Sequence, residues 1–298
     1  MFSMRMGMGL GAPMQVSGES DVYVFTNQEA EDYVAAFSSE PTDAAKEAID
    51  DLVTALKSTN VGETPTNFFA KLDCLYLFYM AHDTAADTLI NVIDPSGTGI
   101  GPAVLGKGAG DYPTWAAKAG FTTDREQQNY INTDFAYVAS GDSKTKYSTH
   151  ATDGSSIGLV QHADTPADNN YNVGAREGAA QIRINSRDSS DNPNTMHHAG
   201  SSSWATLKNT STRYIISTRP TGGNQACITE NGNASAAIAE DVILTNELFI
   251  GARNNITVDL HKTTYPAIFF AGSGLTVAEA TALIGIFSDY MTAMAKAI

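Results

Sequence analysis

Beyond residue 114 the apolar positions of this chain recur at every second residue in short runs, and that period constrains the fold more than any other feature. The runs are YINTDFAYVA, SIGLVQHA, AQIRINSR, SWATLK, RYIISTRP, QACITENG, LFIGARN, ITVDLHK and YPAIFFAG. Each is rich in β-branched and aromatic residues and is bounded by Asn, Asp, Gly or Ser clusters. Alternation sends successive side chains to opposite faces of a strand. Short strands with turn chemistry between them, and no helical pattern interleaved, predict an antiparallel two-sheet sandwich or barrel. A chain of 298 residues can bury one large core of this kind or two modest ones.

Before residue 96 the period is that of a helix. In PTDAAKEAIDDLVTALKST, residues Ala45, Ala48, Ile49, Leu52, Val53 and Leu56 form one apolar stripe, with Glu47, Asp50 and Asp51 opposite. A shorter helix is expected from Asn27, as N-cap, through Tyr33, Val34 and Phe37. The run Phe68 to Ala81 is apolar nearly all round and reads as a helix wedged between layers, with Thr84 and Asp87 placed to cap the next turn. At the other end of the chain, Thr276 and Glu279 form a capping box. The stripe Val277, Ala280, Leu283, Ile284, Phe287, Tyr290, Met291 and Met294 then predicts a closing helix.

Between the two halves, GPAVLGKG places Gly101, Gly106 and Lys107 at the spacing of a nucleotide-binding loop. Such a loop needs a hydroxyl after the Lys for Mg²⁺, a strand before it and a helix behind it. Gly108 stands where the hydroxyl should be, and turn residues flank the motif, so the stretch reads as a connector. Acidic residues outnumber basic ones 33 to 18, a net charge of −15 that repels phosphate backbones and anionic lipid heads and excludes nucleic acid as a partner. The longest apolar run is too short to cross a bilayer, and the first residues lack the pattern of a secretory signal, so no membrane insertion is expected. Cys74 and Cys227 sit in apolar company and read as buried thiols.

The order KLDCLYLFYMAHDTAADTLINVIDP, AGFTTDREQQNYINTDF, RYIISTRPTGGNQACITENGNA, LFIGARN and FFAGSGLTVAEATALIGIFSDYMTAM resembles the laminin-G/concanavalin A-like jelly-roll proteins of tailed-bacteriophage virions. The resemblance covers roughly residues 40 to 298 and includes the Asn231-Gly232 hairpin and the Ile250-Gly251-Ala252 strand. It implies a mainly β fold with helical additions, a lectin-like sandwich with its closing helix over 115–298; the residue patterns before it add an extended arm over 1–20, a helical region over 21–95 and a glycine-rich connector over 96–114. It further implies a structural virion component, a head decoration, spike or tail-fibre attachment protein. Such a protein assembles in the host cytoplasm as a homo-oligomer with capsid, portal or tail subunits.

Fold does not fix activity. Glucanases on related sandwiches use carboxylates at alternate positions of one strand. That pattern is absent: Glu230 ends a strand alone, and the adjacent Glu240 and Asp241 would face opposite sides. His197-His198 falls in a polar loop, and His82, His150, His162 and His261 have no partners at ligand spacing, so neither a catalytic residue, a metal site nor a cofactor is assigned. The polar stretches ADTPADNNYN, with Tyr171, and DSSDNPN leave a host surface glycan as an alternative partner and a polysaccharide hydrolase as a second alternative. Retention on immobilised polysaccharide separates the first from a purely architectural role, and release of reducing sugar marks the second.

The first sixteen residues also have a period of two. Phe2, Met4, Met6, Met8 and Leu10 alternate with Ser3, Arg5, Gly7 and Gly9, so an extended chain would carry its apolar side chains on one face. This segment reads as a subunit-contact arm that docks on a neighbouring subunit by strand addition or in an apolar groove.

Overall fold

The computed structural model describes residues 23–136, 154–177, 180–198, 201–207, 213–220, 224–237, 246–255 and 257–297. The arm residues Phe2, Met4, Met6, Met8 and Leu10, together with His150, Glu240 and Asp241, lie outside them. The fold is mostly β, with two large sheets packed face to face and a helical layer on the outside of one of them.

The covered sheet has six strands in the order β15-β14-β13-β8-β19-β3: Gly232–Ala236, Gln225–Thr229, Tyr214–Arg219, Ser155–Gln161, Pro266–Gly272 and Leu72–Leu77. The open sheet runs β12-β11-β10-β9-β16-β7-β4: Ser201–Ser203, Asn194–His198, Ala180–Asn185, Val173–Glu177, Phe249–Ile250, Asn129–Asn132 and Val104–Lys107. Strands β17 (Arg253–Asn255) and β18 (Thr257–Asp259) branch from β9. Two hairpins stand apart, β1 (Thr59–Val61) with β2 (Thr64–Thr66) and β5 (Thr114–Ala116) with β6 (Gly120–Thr122).

Alternation assigns each strand's two faces. In β8, Ile157 and Leu159 point between the sheets and Val160 toward the helices; in β19, Phe269 and Ala271 point between the sheets while Ile268 and Phe270 face the helices. Both faces of its strands β3, β8, β14 and β19 are therefore dry, which explains their near-continuous apolar runs. The same fact corrects the reading of Phe68 to Ala81. That stretch forms a short 3-10 turn, Phe69–Lys71, and then strand β3, every residue of which is buried. A strand buried on both faces and a buried helix have the same apolar texture, and only β pairing to Phe269 and Phe270 separates them here.

The helical layer follows the sequence more closely. Helix α1 spans Gln28–Ala35, α2 spans Asp43–Ser58 and α3 spans Val277–Lys296. All six predicted stripe residues of α2 are buried, and Thr42 caps it by accepting the Ala45 amide at 3.3 Å. The capping box of Thr276 and Glu279 is formed, and Lys71 pairs with that same Glu279. Full burial of Leu283 and Phe287 contributes about 1.5–3 kcal/mol each. Asp50 departs from expectation: instead of facing water it is buried and accepts the Thr26 amide at 2.7 Å and the Asn27 amide at 3.0 Å. Burial pushes its carboxyl up, but these bonds and those from the Asn27, Thr26 and Tyr23 side chains hold it below the usual carboxylate range. Asn27 precedes α1 as expected, yet its amide donates to Asp50 and Thr54 rather than serving as a side-chain cap.

The glycine-rich stretch is also more than a connector, since Val104–Lys107 is an edge strand paired with β7. Its glycines make close packing possible. A Cβ on Gly106 would lie 2.2 Å from the Tyr130 ring, and one on Gly110 would lie 2.0 Å from the Gln127 amide oxygen. Cys74 and Cys227 are buried free thiols. No helix among the described residues is long and apolar enough to cross a membrane.

Candidate functional site

The open sheet has one face on the core and one turned away from it, where Val104 is exposed and Asn132 half-buried while Phe249, Gly174 and Met196 are buried, Gly174 against Arg253. Its register builds a row across that outer face: Val104 opposite Asn132, Asn132 opposite Phe249, Phe249 opposite Gly174, Gly174 opposite Arg183, and Arg183 opposite Met196. The neighbouring positions Ile131, Ile250, Val173 and Ile184 point inward to the core. Next to this row the Tyr130 ring leans over Gly106 and stacks on Phe249, with centroids 4.6 Å apart and planes 14° from parallel. Tyr130 covers Phe249, leaving it 7% exposed, while Tyr130 itself stays half-buried. His261 lies 6.3 Å from Tyr130. Asn132 donates to the Glu247 carboxylate at 2.6 Å, and Asn254 donates to the Glu247 carbonyl at 3.1 Å.

Beyond Gly174 the face becomes cationic. Arg183 donates to Asn194 at 3.2 and 2.9 Å and to the Tyr171 hydroxyl at 2.5 Å. Arg253 holds Asp259 with two bonds of 2.8 and 2.7 Å. Both guanidiniums lie over the Tyr171 ring, at 4.8 and 5.5 Å. Burial pushes the Asp259 carboxyl up, but the Arg253 fork outweighs it and keeps the group below its ordinary range. Both cations thus lie against the buried Tyr171, while Tyr130 is the half-buried aromatic ring of the outer face.

Several residues of the polar loops that suggested a binding site turn inward to hold the fold, while Asp164, Pro166, Ala167, Asn169, Ser189 and Ser190 stay exposed. Asn172 donates to Gln161 at 3.2 Å and Thr264 at 2.8 Å and accepts the Ser186 amide at 2.7 Å. Asn170 reaches the His261 carbonyl at 2.7 Å. Lys262, fully buried, donates to Asn185 at 2.7 Å and to the Arg187 carbonyl at 2.9 Å, and pairs with Asp168 at 3.2 Å. His197 and His198 are on strand β11, opposite Ile182 and Gln181, and not in a loop. His162 and His261 are part-buried, and burial pushes both imidazoles below their ordinary range. Glu230 accepts the amides of Arg213 and Tyr214 at 2.7 and 3.0 Å, a turn-holding role. Asp87 is not half of a capping pair with Thr84. It takes the Ser38 hydroxyl at 3.0 Å and His82 at 2.5 Å, with the carboxylate between hydroxyl and imidazole, an arrangement in which the ring cannot deprotonate the serine. Lys107 lies 4.7 Å from the Tyr112 ring centre on the edge strand, where no helix follows to cradle phosphates. Among the described residues no group of three or more His, Cys, Asp or Glu could hold a metal ion.

Tyr130, Asn132, Glu247 and Phe249 were missed in the sequence. The alternation in YIN signals that Tyr130 and Asn132 share a face, but their meeting with Phe249 depends on strand pairing across more than a hundred residues.

No family model matches the chain, and no curated protein matches it. Solved structures similar to it include domain 4 of AbnA, a GH43 extracellular arabinanase from Geobacillus stearothermophilus, in complex with arabinotriose. That likeness has 15% identity and a TM-score of 0.48 over 72% of this chain and 98% of that one. Trypanosoma rangeli sialidase is similar at 11% identity and a TM-score of 0.49, over 83% of this chain and 38% of that one. The botulinum neurotoxin type G receptor binding domain is similar at 14% identity and a TM-score of 0.45, over 72% of this chain and 51% of that one. The chain spans less than two thirds of the sialidase and of the receptor binding domain.

Proposed function

We propose that this chain is a non-catalytic carbohydrate-binding β-sandwich module, with the outer face of the open sheet as its glycan surface. One observation carries the reading: the half-buried Tyr130 ring, backed by Phe249 at 4.6 Å, lies in a face flanked by the Asn132–Glu247 pair. A sugar ring has an apolar face of C–H groups and a rim of hydroxyls. An aromatic plate accepts the first, and a fixed amide and carboxylate accept and donate to the second. The net charge of −15 favours a neutral glycan over a uronate or sulfated one. The virion setting follows from the sequence resemblance, and in it the module is a decoration, spike or fibre component that meets host polysaccharide.

Affinity electrophoresis through gels cast with host polysaccharides tests the reading. The parent is retarded on at least one neutral polysaccharide, Tyr130→Ala migrates freely, and Tyr130→Phe keeps the retardation because it keeps the plate. A parent that is retarded by none of them supports the architectural role instead. Release of reducing sugar from the retarding polymer would overturn the non-catalytic assignment.

A further inference from the structure

A sheet edge is a row of unpaired amides and carbonyls, and proteins blunt it with charge, proline, bulges, short length or cover. Three edges of the two large sheets are managed in these ways. Segment 91–92 closes β3, through the Asn91 bridge to Tyr76 and the Val92 amide on the Leu75 carbonyl at 2.9 Å. Strand β4 is four residues long and ends on Lys107, and β12 is only three residues long. Strand β15 lacks charge, proline and bulge, and the turn Ala205–Leu207 packs against it without pairing to its edge. Its five residues, Gly-Asn-Ala-Ser-Ala, carry no charge and no proline, run in unbroken register with β14, and have no partner on the outer side among the described residues.

The ground beside that edge is apolar. Helix α3 packs on β13 and β14. Asn233 and Ser235, whose cross-strand partners Ile228 and Ala226 belong to the helix-side core, are left exposed. On α3, Ile286 and Ala293 face Ala48 and Leu52 of α2. Val277, Ile284 and Met291, spaced by seven, lie on the flank turned away from α2 and are only half-buried. Edge and helix together form a step, with Asn233 and Ser235 as its floor and this uncharged stripe as its wall.

We propose that the step receives the arm Phe2 to Leu10 of a second copy of this chain, added as a further strand beside β15. Main-chain bonds are supplied by the edge, and the period of two places Phe2, Met4, Met6, Met8 and Leu10 together against the wall. The arm itself brings no repulsive carboxylate: residues 2–16 hold one arginine and no acidic residue. The helical layer runs α3, α2, α1, and Tyr23, bonded to Asp50 of α2 at 3.1 Å, stands across that layer from β15. Arm at one end and acceptor at the other give a head-to-tail contact.

Sedimentation velocity on the full chain, on a variant lacking residues 2–16, and on Asn233→Lys/Ser235→Lys tests this. Both lysines are placed at exposed positions, so the thermal unfolding midpoint and glycan retardation stay at parental values, which separates this failure from failure of the carbohydrate reading. The parent associates in a concentration-dependent way, and each variant alone is a monomer. Mixed, the two variants form a one-to-one complex, because one keeps the acceptor and the other keeps the arm. A monomeric parent, undiminished association of either variant, or no complex on mixing overturns the proposal.

Discussion

Lys262 offers a sharp test of how this sandwich is held at its loop end. Its ammonium is fully buried, facing Asp168, the Arg187 carbonyl and Asn185, with the Arg187 and Asp188 side chains contributing charge nearby. Burial outweighs the pull of Asp168 and pushes the amine down from 10.5 to about 8. In the unfolded chain the amine keeps its proton to about pH 10.4, so between about 8 and 10.4 the unfolded state binds more protons and stability rises with pH. The change is about 3 kcal/mol, absent below the folded value and complete above the unfolded one. Lys262→Met removes the titration while keeping a long side chain. Urea unfolding of both proteins at several pH values across this window isolates the effect, because the buried tyrosines, which burial pushes up and which ionise near its top only once unfolded, are common to both. The stability difference, parent minus variant, grows by about 3 kcal/mol as pH rises through the window. Parallel curves, or a gap that narrows with rising pH, would refute the burial argument.

Ile250 is fully buried between the sheets while its neighbour Phe249 faces outward, so Ile250→Asp buries an unpaired charge and costs at least about 3 kcal/mol by urea unfolding. A variant with the parental midpoint would contradict the register of β16. Cys74 and Cys227 are buried, and burial pushes both thiols up; an aromatic disulfide reagent labels neither in the native protein and labels both at the rate of unfolding. Fast labelling at neutral pH would count against that burial. Mg²⁺ with ATP leaves the melting temperature unchanged, because Val104–Lys107 is paired with β7; a rise of several degrees would contradict this.

What could be read in the sequence was local. The capping box of Thr276 and Glu279, the stripe from Ala45 to Leu56, the hairpin near Asn231-Gly232, which turns at Glu230-Asn231, and the opposite faces of Phe249 and Ile250 each follow from a few adjacent residues, and each is in place. Features set by distant partners were not legible. Leu72 to Leu77, within the run Phe68 to Ala81, became a strand because sheet and helices bury both its faces, and Asp50 was drawn inward by the amides of Thr26 and Asn27. The polar loop around Asn172 resembled a binding loop, since nothing local says that Gln161 and Thr264 consume its amide. The Tyr130 plate needs Gly106 on one neighbouring strand and Phe249 on the other, a register that no short window contains.

The pairing of β3 with β19 bears on how the chain is made. Leu77 finds Ile268, and Lys71 finds Glu279 at a separation of 208 positions, so the first strand of the covered sheet has no strand partner until nearly the whole polypeptide exists. At ribosomal speeds of 5–20 residues per second, that delay is about 10 to 40 s. For that interval the helix-facing side of β3 and the stripe of α2 are exposed together at the tunnel mouth, and they supply the apolar surface a holdase chaperone recognises. Closure across so long a loop is slow even once the partners are present. Cooler expression or added chaperone therefore raises the soluble yield of this protein without altering the stability of the finished fold.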